Sequence, residues 1–308
     1  MTIFINTFRS LLKWKSTLIF IVIMSILPII LGFVLKNEIY GKDMAFQSQL
    51  DFTIGIYYIL VFMWGLGIPF LIVISAKGIS LIANEITEGT LGLLVSMKIS
   101  RFQIVLYKWL ALYFVVVLLG ILSIYENISI LSLISDMDKN ILNKLIESIP
   151  FLIQHILIMG FIFSNIAILL SLLIKSKIFA TISMTFFIVI VFLIIPLFKN
   201  FLTSYYEKYN LYLYDLNYHF SLIYYHFISK SNISISPTLQ TVMGTFIGIF
   251  DIKKITDNDM SVLLKSSLMK DAAIYSYLSS NILILFWLFI SIICLFLSMR
   301  ILTKRDIT

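Results

Sequence analysis

The residues of this 308-residue chain that are most suggestive of chemistry form a polar island between two long apolar runs. Glu85 and Glu88 are followed by Gly89 and Thr90, so two carboxylates stand beside a glycine break and a hydroxyl that can start a new helix. A hydrophobic chain has little reason to place such residues there unless they contact something outside the membrane. We therefore expect this island to be a contact surface in the cytosol.

Metal and nucleotide chemistry have little support in the sequence. The only histidines and cysteine are His155, His219, His226 and Cys294. His219 and His226 could share a metal ion, but no third ligand stands at a diagnostic spacing, so no metal site is expected. The chain also lacks a G-x-x-x-x-G-K-[ST] loop, so it cannot hold the phosphates of ATP by itself.

A second set of polar residues lies within the apolar runs, where hydrocarbon disfavours them. Gln154 and His155 stand near one end of a predicted span, Ser164 and Asn165 lie near its middle, and Trp64 is flanked by glycines and a proline. These residues could line a substrate pathway, although hydrogen bonding between helices is the better supported interpretation. No charged residue lies deep within a predicted span, which argues against a proton-coupled or ion-coupled carrier.

The composition sets the class of the protein. Apolar residues make up 60% of the chain, charged residues 13%, and the mean hydropathy is +1.02. These values are typical of an integral membrane protein. Since about 20 apolar residues cross the hydrocarbon core as a helix, the sequence predicts an all-α membrane protein with six spans near residues 17–35, 53–75, 104–124, 150–174, 178–198 and 281–302.

The basic residues predict the orientation, because cytoplasmic loops near membrane spans retain lysine and arginine. With the N-terminus inside, the inner segments hold 12 basic residues and only 3 acidic ones. Both termini are therefore predicted to be cytoplasmic. Basic residues dispersed along membrane edges do not form a nucleic-acid-binding stripe, and frequent Ile, Lys, Asn and Tyr suggest an AT-rich bacterial genome and a bacterial plasma membrane.

Four segments between or before the spans have their own predictions. Residues 3–14 place apolar side chains on one helical face, which predicts an interfacial helix or a plain basic flank of the first span. Residues 36–52 and 125–149 are predicted to be modest external loops. The largest segment, 199–280, is predicted to be external and helical, with half of the tyrosines forming an interfacial belt.

The cytoplasmic loop, residues 76–101, has signals for a break and a restart. Gly89 suits the left-handed residue that ends a helix, and Thr90 can cap a short helix across the membrane surface. Ser100 and Gln103 have the capping-box form, so the third span is predicted to begin at Ser100. Such a transverse helix can dock into a groove on a soluble partner, although an ordinary charged loop is equally compatible with the pattern.

This stretch is similar to the signature loop of ABC-2-type transporter permeases, which contains the coupling helix in that family. The similarity covers Glu85 to Lys108, and the six-span plan agrees with it over the whole chain. Met97 and Lys98 depart from the family pattern, in which many members have a small residue and proline. The matching positions are Glu85, Glu88, Gly89, Thr90, Leu94, Ser96, Ile99, Ser100, Arg101, Ile104 and Lys108.

The resemblance implies a permease subunit that works as a dimer, with a homodimer expected, together with two ATP-binding subunits that carry ATP and Mg. The docking contact with those subunits would then involve Glu85, Glu88, Gly89, Thr90, Leu94 and Ser96. After the returning Ser100, Arg101 and Lys108 would hold phospholipid headgroups or a nearby carboxylate. Possible pathway-lining residues are Trp64, Gln154, His155 and Asn165.

The function expected from sequence is therefore export driven by ATP in a partner subunit, with no enzyme activity in this chain itself. Apolar spans without buried charge favour a hydrophobic or amphipathic cargo, and similar compact permeases export antimicrobial peptides or amphipathic peptide toxins, or confer immunity to them. Export of lipids or small-molecule drugs remains an alternative, as does a non-transporting immunity or sensor protein. A membrane-embedded transferase or protease would need a polar cluster that the spans do not offer.

Overall fold

A computed structural model describes residues 2–41, 44–87, 89, 100–174, 176–199, 205, 208–231 and 278–304. These residues are helical apart from short connections. The α-helices are α1 (Thr2–Leu11), α2 (Trp14–Leu35), α3 (Phe46–Leu60), α4 (Ile68–Thr87), α5 (Arg101–Ser135), α6 (Lys139–Leu173), α7 (Lys177–Val189), α8 (Ile195–Lys199), α9 (Leu216–Ile228) and α10 (Ser280–Lys304).

Six helices in the described part of the chain are long and apolar enough to cross a membrane. Three of them contain a π-helical turn, so α2 continues to Tyr40, α3 joins α4 through Val61–Gly65, and α7 joins α8 through Ile190–Ile194. The predicted all-α fold with six spans is confirmed, and the chain is a multi-pass membrane protein. The helices extend beyond most of the predicted span limits; the second runs from Phe46 to Ile86 where residues 53–75 were expected.

The prediction of a loop over residues 125–149 is wrong. Helices α5 and α6 contain 35 residues each and are joined by a turn of three residues. Asp136 ends α5 in a left-handed conformation with φ of 53°, and the Asp138 carboxylate accepts a hydrogen bond from Asn140 N at 2.7 Å. The polar residues of this stretch lie on helix faces, because Ile124, Ile128 and Leu131 continue the buried apolar stripe.

Residues 36–52 are also more helical than predicted, since Lys36–Tyr40 prolongs α2 and α3 starts at Phe46. The short connection between the fourth and fifth spans agrees with their predicted limits at residues 174 and 178, because α6 ends at Leu173 and α7 begins at Lys177.

Glycines allow the two longest helices to approach closely. A Cβ atom on Gly120 would lie 2.5 Å from Ile156 Cγ1, and one on Gly160 would lie 2.7 Å from Val116 Cγ1. Real Cβ atoms do not come this near, so both positions require glycine in the observed packing. Close contact through small residues supplies the van der Waals attraction that holds helices together in lipid.

Helix α1 confirms the predicted N-terminal helix, although it ends at Leu11. Its apolar face packs on α5, where the ring of Phe4 meets Phe114 edge to face with centroids 5.9 Å apart.

Helix α9 differs from the predicted interfacial tyrosine belt. Tyr218 and Tyr224 are fully buried, and α9 packs against α6 and α10. The Tyr224 hydroxyl donates to Tyr58 O at 2.8 Å, which attaches α9 to α3 as well. Tyr205 and Tyr209 are exposed, as a belt requires. Residues 232–277 of the segment that is predicted to be external and helical lie outside the described residues.

Candidate functional site

The loop end of the bundle, defined by Lys77, Glu85, Gly89, Arg101 and Lys108, contains the described part of the predicted contact surface. Helix α4 stops at Thr87, and Gly89 then has a φ of +70°, with its N–H donating to Ile86 O at 3.4 Å. A side chain is rarely tolerated at this φ, so glycine fits the position. The predicted helix-ending role of Gly89 is confirmed.

The chain returns to the bundle at a well-formed helix cap. Ser100 Oγ accepts a hydrogen bond from Gln103 N at 3.2 Å, and the Gln103 side chain accepts one from Ser100 N at 3.3 Å. These reciprocal bonds satisfy two of the donors that every helix start leaves unpaired. The predicted capping box is confirmed. The expected docking residues Glu88, Thr90, Leu94 and Ser96, and the transverse helix, lie outside the described residues.

Lys108 connects the two helices that flank the loop. Its side chain is 2% exposed, its ammonium donates to Leu81 O at 2.8 Å, and it forms an ion pair with the Glu85 carboxylate. Leu81 and Glu85 are one helical turn apart on α4, so Lys108 of α5 binds two groups on one face of α4. We call this group of Leu81, Glu85 and Lys108 the brace.

The brace gives Glu85 a partner within the chain, and its expected contact with an ATP-binding subunit stays a prediction. The sequence suggested that Glu85 contacts an ATP-binding subunit, and the structure places its carboxylate against Lys108 of the same chain. Two ligands were expected for Lys108, a phospholipid headgroup and a nearby carboxylate, and the structure shows the carboxylate of Glu85. A buried ammonium requires such a partner because hydrocarbon and protein interior do not solvate it.

Arg101 and Lys77 bind other helix ends near the brace. Arg101 Nη1 donates to Leu302 O and Thr303 O, both at 3.1 Å, in the last turn of α10. Lys77 donates to Leu11 O at 2.6 Å, at the end of α1, and to Ser16 Oγ at 2.8 Å. Cations stabilise the exposed carbonyls of a helix C-terminus. The loop end thus ties together α1, α2, α4, α5 and α10.

The four possible pathway-lining residues are not gathered at one site. Trp64 Nε1 donates to Met24 O at 3.2 Å, and that carbonyl lacks its usual helical donor because Pro28 has no N–H. Gln154 is exposed, whereas the His155 ring is buried beside Tyr224 with centroids 4.9 Å apart. Asn165 donates to Phe161 O of its own helix at 2.9 Å. Trp64 and Asn165 thus both donate hydrogen bonds to backbone carbonyls of helices.

Sequence reasoning missed Glu126. It was assigned to an external loop, yet it belongs to α5, and both of its carboxylate oxygens are buried without a hydrogen bond. Asn127 beside it donates to Ser123 O at 2.6 Å, while its own Oδ1 is buried and unpaired. The detectable signal was the apolar stripe that continues through Ile124 and Ile128 on both sides of these polar residues.

No protein-family model and no curated protein matches this chain. Within the described ranges, no three His, Cys, Asp or Glu side chains are grouped so that they could hold a metal ion.

Proposed function

We propose that this chain is the transmembrane permease subunit of an ATP-driven exporter of the ABC-2 type. The observation that carries the proposal is the brace, because it joins the helices on either side of the loop whose sequence resembles the family's signature. A separate ATP-binding subunit, with ATP and Mg, supplies the motor. The permease works as a homodimer with two such subunits.

The brace provides a path for mechanical coupling. Lys108 holds Leu81 and Glu85 of α4, so a displacement of the loop moves α4 and α5 together. Gly89 and Ser100 mark the ends of these two helices on either side of the loop. ATP binding would close the partner subunits, push the loop, and shift the two spans as rigid bodies. Glu85 then acts inside the permease, and docking falls to Glu88, Gly89, Thr90, Leu94 and Ser96.

The proposed orientation places the loop end in the cytoplasm of a bacterium, with both chain termini on the same side of the plasma membrane. The basic residues Lys77, Arg101 and Lys108 at this end, together with Arg300 and Lys304 on α10, agree with the preference of cytoplasmic segments for positive charge.

The proposed dimer is supported by uneven burial of the spans. In the most apolar window of the first, fifth and sixth spans only 28% of residues are buried within the chain, compared with 56%, 56% and 61% in the other three. The outward faces of the first, fifth and sixth spans are therefore available to a second copy and to lipid.

The proposed cargo is an amphipathic or hydrophobic peptide, exported as a toxin or antimicrobial peptide or removed for immunity. The apolar outer faces of the spans suit a cargo that enters from the membrane. Lipids and small-molecule drugs have the same physical property and remain the competing cargo classes, and a non-transporting immunity or sensor protein is the competing function.

The test is co-purification and ATP hydrolysis in lipid with a candidate ATP-binding subunit from the same genome, with and without an amphipathic helical peptide. Glu88→Lys should reduce co-purification and ATP turnover, and peptide should stimulate the wild-type complex. The control is Glu147→Lys, the same charge change at an exposed position on α6. Equal complex formation by both variants would contradict the docking loop, and turnover unaffected by peptide would contradict the peptide cargo.

A further inference from the structure

Glu126 differs from the other carboxylates that the structure describes. Its two oxygens are shielded from solvent, and neither has a hydrogen-bond partner in the described structure. An ionised carboxylate in such a place lacks both water and a counter-ion, which makes the charged form very costly. Either a proton or a cation must accompany it.

Glu126, on the third span, lies beside the middle of the first span. Its carboxyl faces Ser25 of α2. Ser25 is ten residues from Lys15 and eleven from Lys36, the charged residues on either side of it in that span. At a rise of 1.5 Å per residue each lysine is about 15 Å away along the helix, which is half the thickness of the hydrocarbon core.

Ser25 does not neutralise the carboxylate. Its hydroxyl donates to Ile21 O at 2.6 Å, and a hydroxyl has one hydrogen to give. While its hydrogen is engaged by Ile21 O, Ser25 Oγ can accept a hydrogen bond from a protonated carboxyl but cannot donate one to a carboxylate. The neighbouring Asn127 Oδ1 is a further buried acceptor without a donor. This region has an excess of acceptors, which a proton on Glu126 would reduce.

No charged or titratable side chain of the described residues supplies the missing partner. Those on α5 itself and on the elements packed against it make no hydrogen bond with the Glu126 carboxyl, since neither of its oxygens has a hydrogen-bond partner. They are Arg9, Lys15, Lys36, Glu38, Tyr40, Asp51, Tyr57, Tyr58, Lys77, Glu85, Arg101, Tyr107, Lys108, Tyr113, Tyr125, Lys139, Lys144, Glu147, His155, Cys294, Arg300 and Lys304.

The surroundings also provide a way to expose the carboxyl. Pro28 lies three residues after Ser25, and a proline within a helix favours a bend because it removes one backbone hydrogen bond. The first span is loosely held, with 28% of its most apolar window buried. A bend or displacement of α2 would open the contact between Ser25 and Glu126 and admit water.

We propose that Glu126 is a proton-binding site within the membrane, protonated while α2 packs on α5 and able to release its proton to water only when α2 moves away. Protonation forms the O–H bond with a proton taken from water, and release returns that proton to water. The packing of the first span against the third is thereby linked to proton binding. This inference does not depend on the proposed ATP-driven export.

The experiment is infrared spectroscopy of the purified full chain at neutral pH in nanodiscs of ether-linked phosphatidylcholine and phosphatidylglycerol analogues. Ether-linked lipids are needed because the ester carbonyls of ordinary phospholipids absorb in the same region as a protonated carboxyl. The carbonyl stretch of a protonated carboxyl is separate from the carboxylate bands. Wild type should show this stretch, Glu126→Gln should lose it, and Glu147→Gln should keep it, because Glu147 is exposed on α6. Labelling with carbon-13 glutamate should shift the band and exclude aspartate as its source.

Absence of the band in folded wild-type protein, or its persistence in Glu126→Gln, would overturn the inference. If Glu126→Gln does not fold, Glu126→Asp replaces it; the band must then lose its sensitivity to the glutamate label. A band that keeps that sensitivity in Glu126→Asp also overturns the inference. Neither result bears on co-purification with an ATP-binding subunit, so the two proposals fail separately.

Discussion

Charged side chains at the loop end of the bundle have hydrogen-bond partners, whereas two polar side chains in its middle have buried acceptors without donors. At the loop end, Lys77, Arg101 and Lys108 each donate to a backbone carbonyl, and Lys108 also meets a carboxylate. In the middle, Glu126 and Asn127 keep buried side-chain acceptors without donors. Removing one partner of a paired buried group is costly, because a buried polar group left without a partner reduces the stability of the fold. The charged residues at the loop end therefore join helices, whereas the carboxyl of Glu126 makes no hydrogen bond that joins it to another helix.

Other buried acceptors in the middle of the bundle do have hydrogen-bond donors. Pro28 and Pro69 each deprive a carbonyl four residues earlier of its helical donor. Met24 O receives Trp64 Nε1 at 3.2 Å, and Gly65 O receives Ser123 Oγ at 2.7 Å. Both backbone acceptors are thus repaired by side chains of neighbouring spans. The unpaired Glu126 lies beside these repairs, so its state reflects its own chemistry and not a loosely packed region.

Breaking the brace should have the largest effect. Lys108→Met fills a similar volume but leaves Glu85 without a cation, and because Glu85 is partly exposed we expect a loss of about 2–3 kcal/mol of unfolding free energy, at or below the low end for a broken buried ion pair. Reversible unfolding of the full chain in mixed micelles measures this loss. The control is Lys139→Met, since Lys139 is exposed.

A double variant sharpens this test. Lys108→Met combined with Glu85→Gln removes the uncompensated charge, so it should be more stable than Lys108→Met alone. Equal losses from Lys108→Met and Lys139→Met would show that the brace does not hold α4 and α5 together.

Removing one of the proline repairs should have a smaller effect. Trp64→Phe keeps an aromatic ring and deletes the donor to Met24 O, which is expected to cost about 1–2 kcal/mol for an unpaired buried carbonyl. The same unfolding measurement applies. Trp14→Phe is the matched control because Trp14 is 75% exposed; if both substitutions cost the same, the Met24 carbonyl does not depend on Trp64.

The sequence predicted local features better than the surroundings of individual side chains. The six apolar runs, the break at Gly89 and the cap at Ser100 depend on neighbours a few residues away, and the structure confirms them. The partner of Lys108 and the donor to Met24 O come from other spans, so spacing along the chain could not identify them. Glu126 was misplaced because the polar residues of 125–149 were interpreted as a loop, although the apolar stripe of α5 continues through them.

The smallest expected effect concerns a pair in a third region, where His226 Nδ1 lies 2.7 Å from Ser280 Oγ and joins α9 to the start of α10. Partial burial, and then the charge of Lys230, lower the pKa of His226 below its ordinary value of 6.5. The unfolded chain therefore takes up this proton at a higher pH than the folded protein. The stability that His226 contributes is complete above pH 6.5 and declines as the pH falls through the lowered folded pKa.

Wild type should lose slightly more Tm on acidification than His226→Gln, in which position 226 no longer titrates. Because the imidazole is partly exposed, the difference should be smaller than the effects of Lys108→Met and Trp64→Phe, and an identical pH dependence in both proteins would show that this junction between helices does not sense protonation.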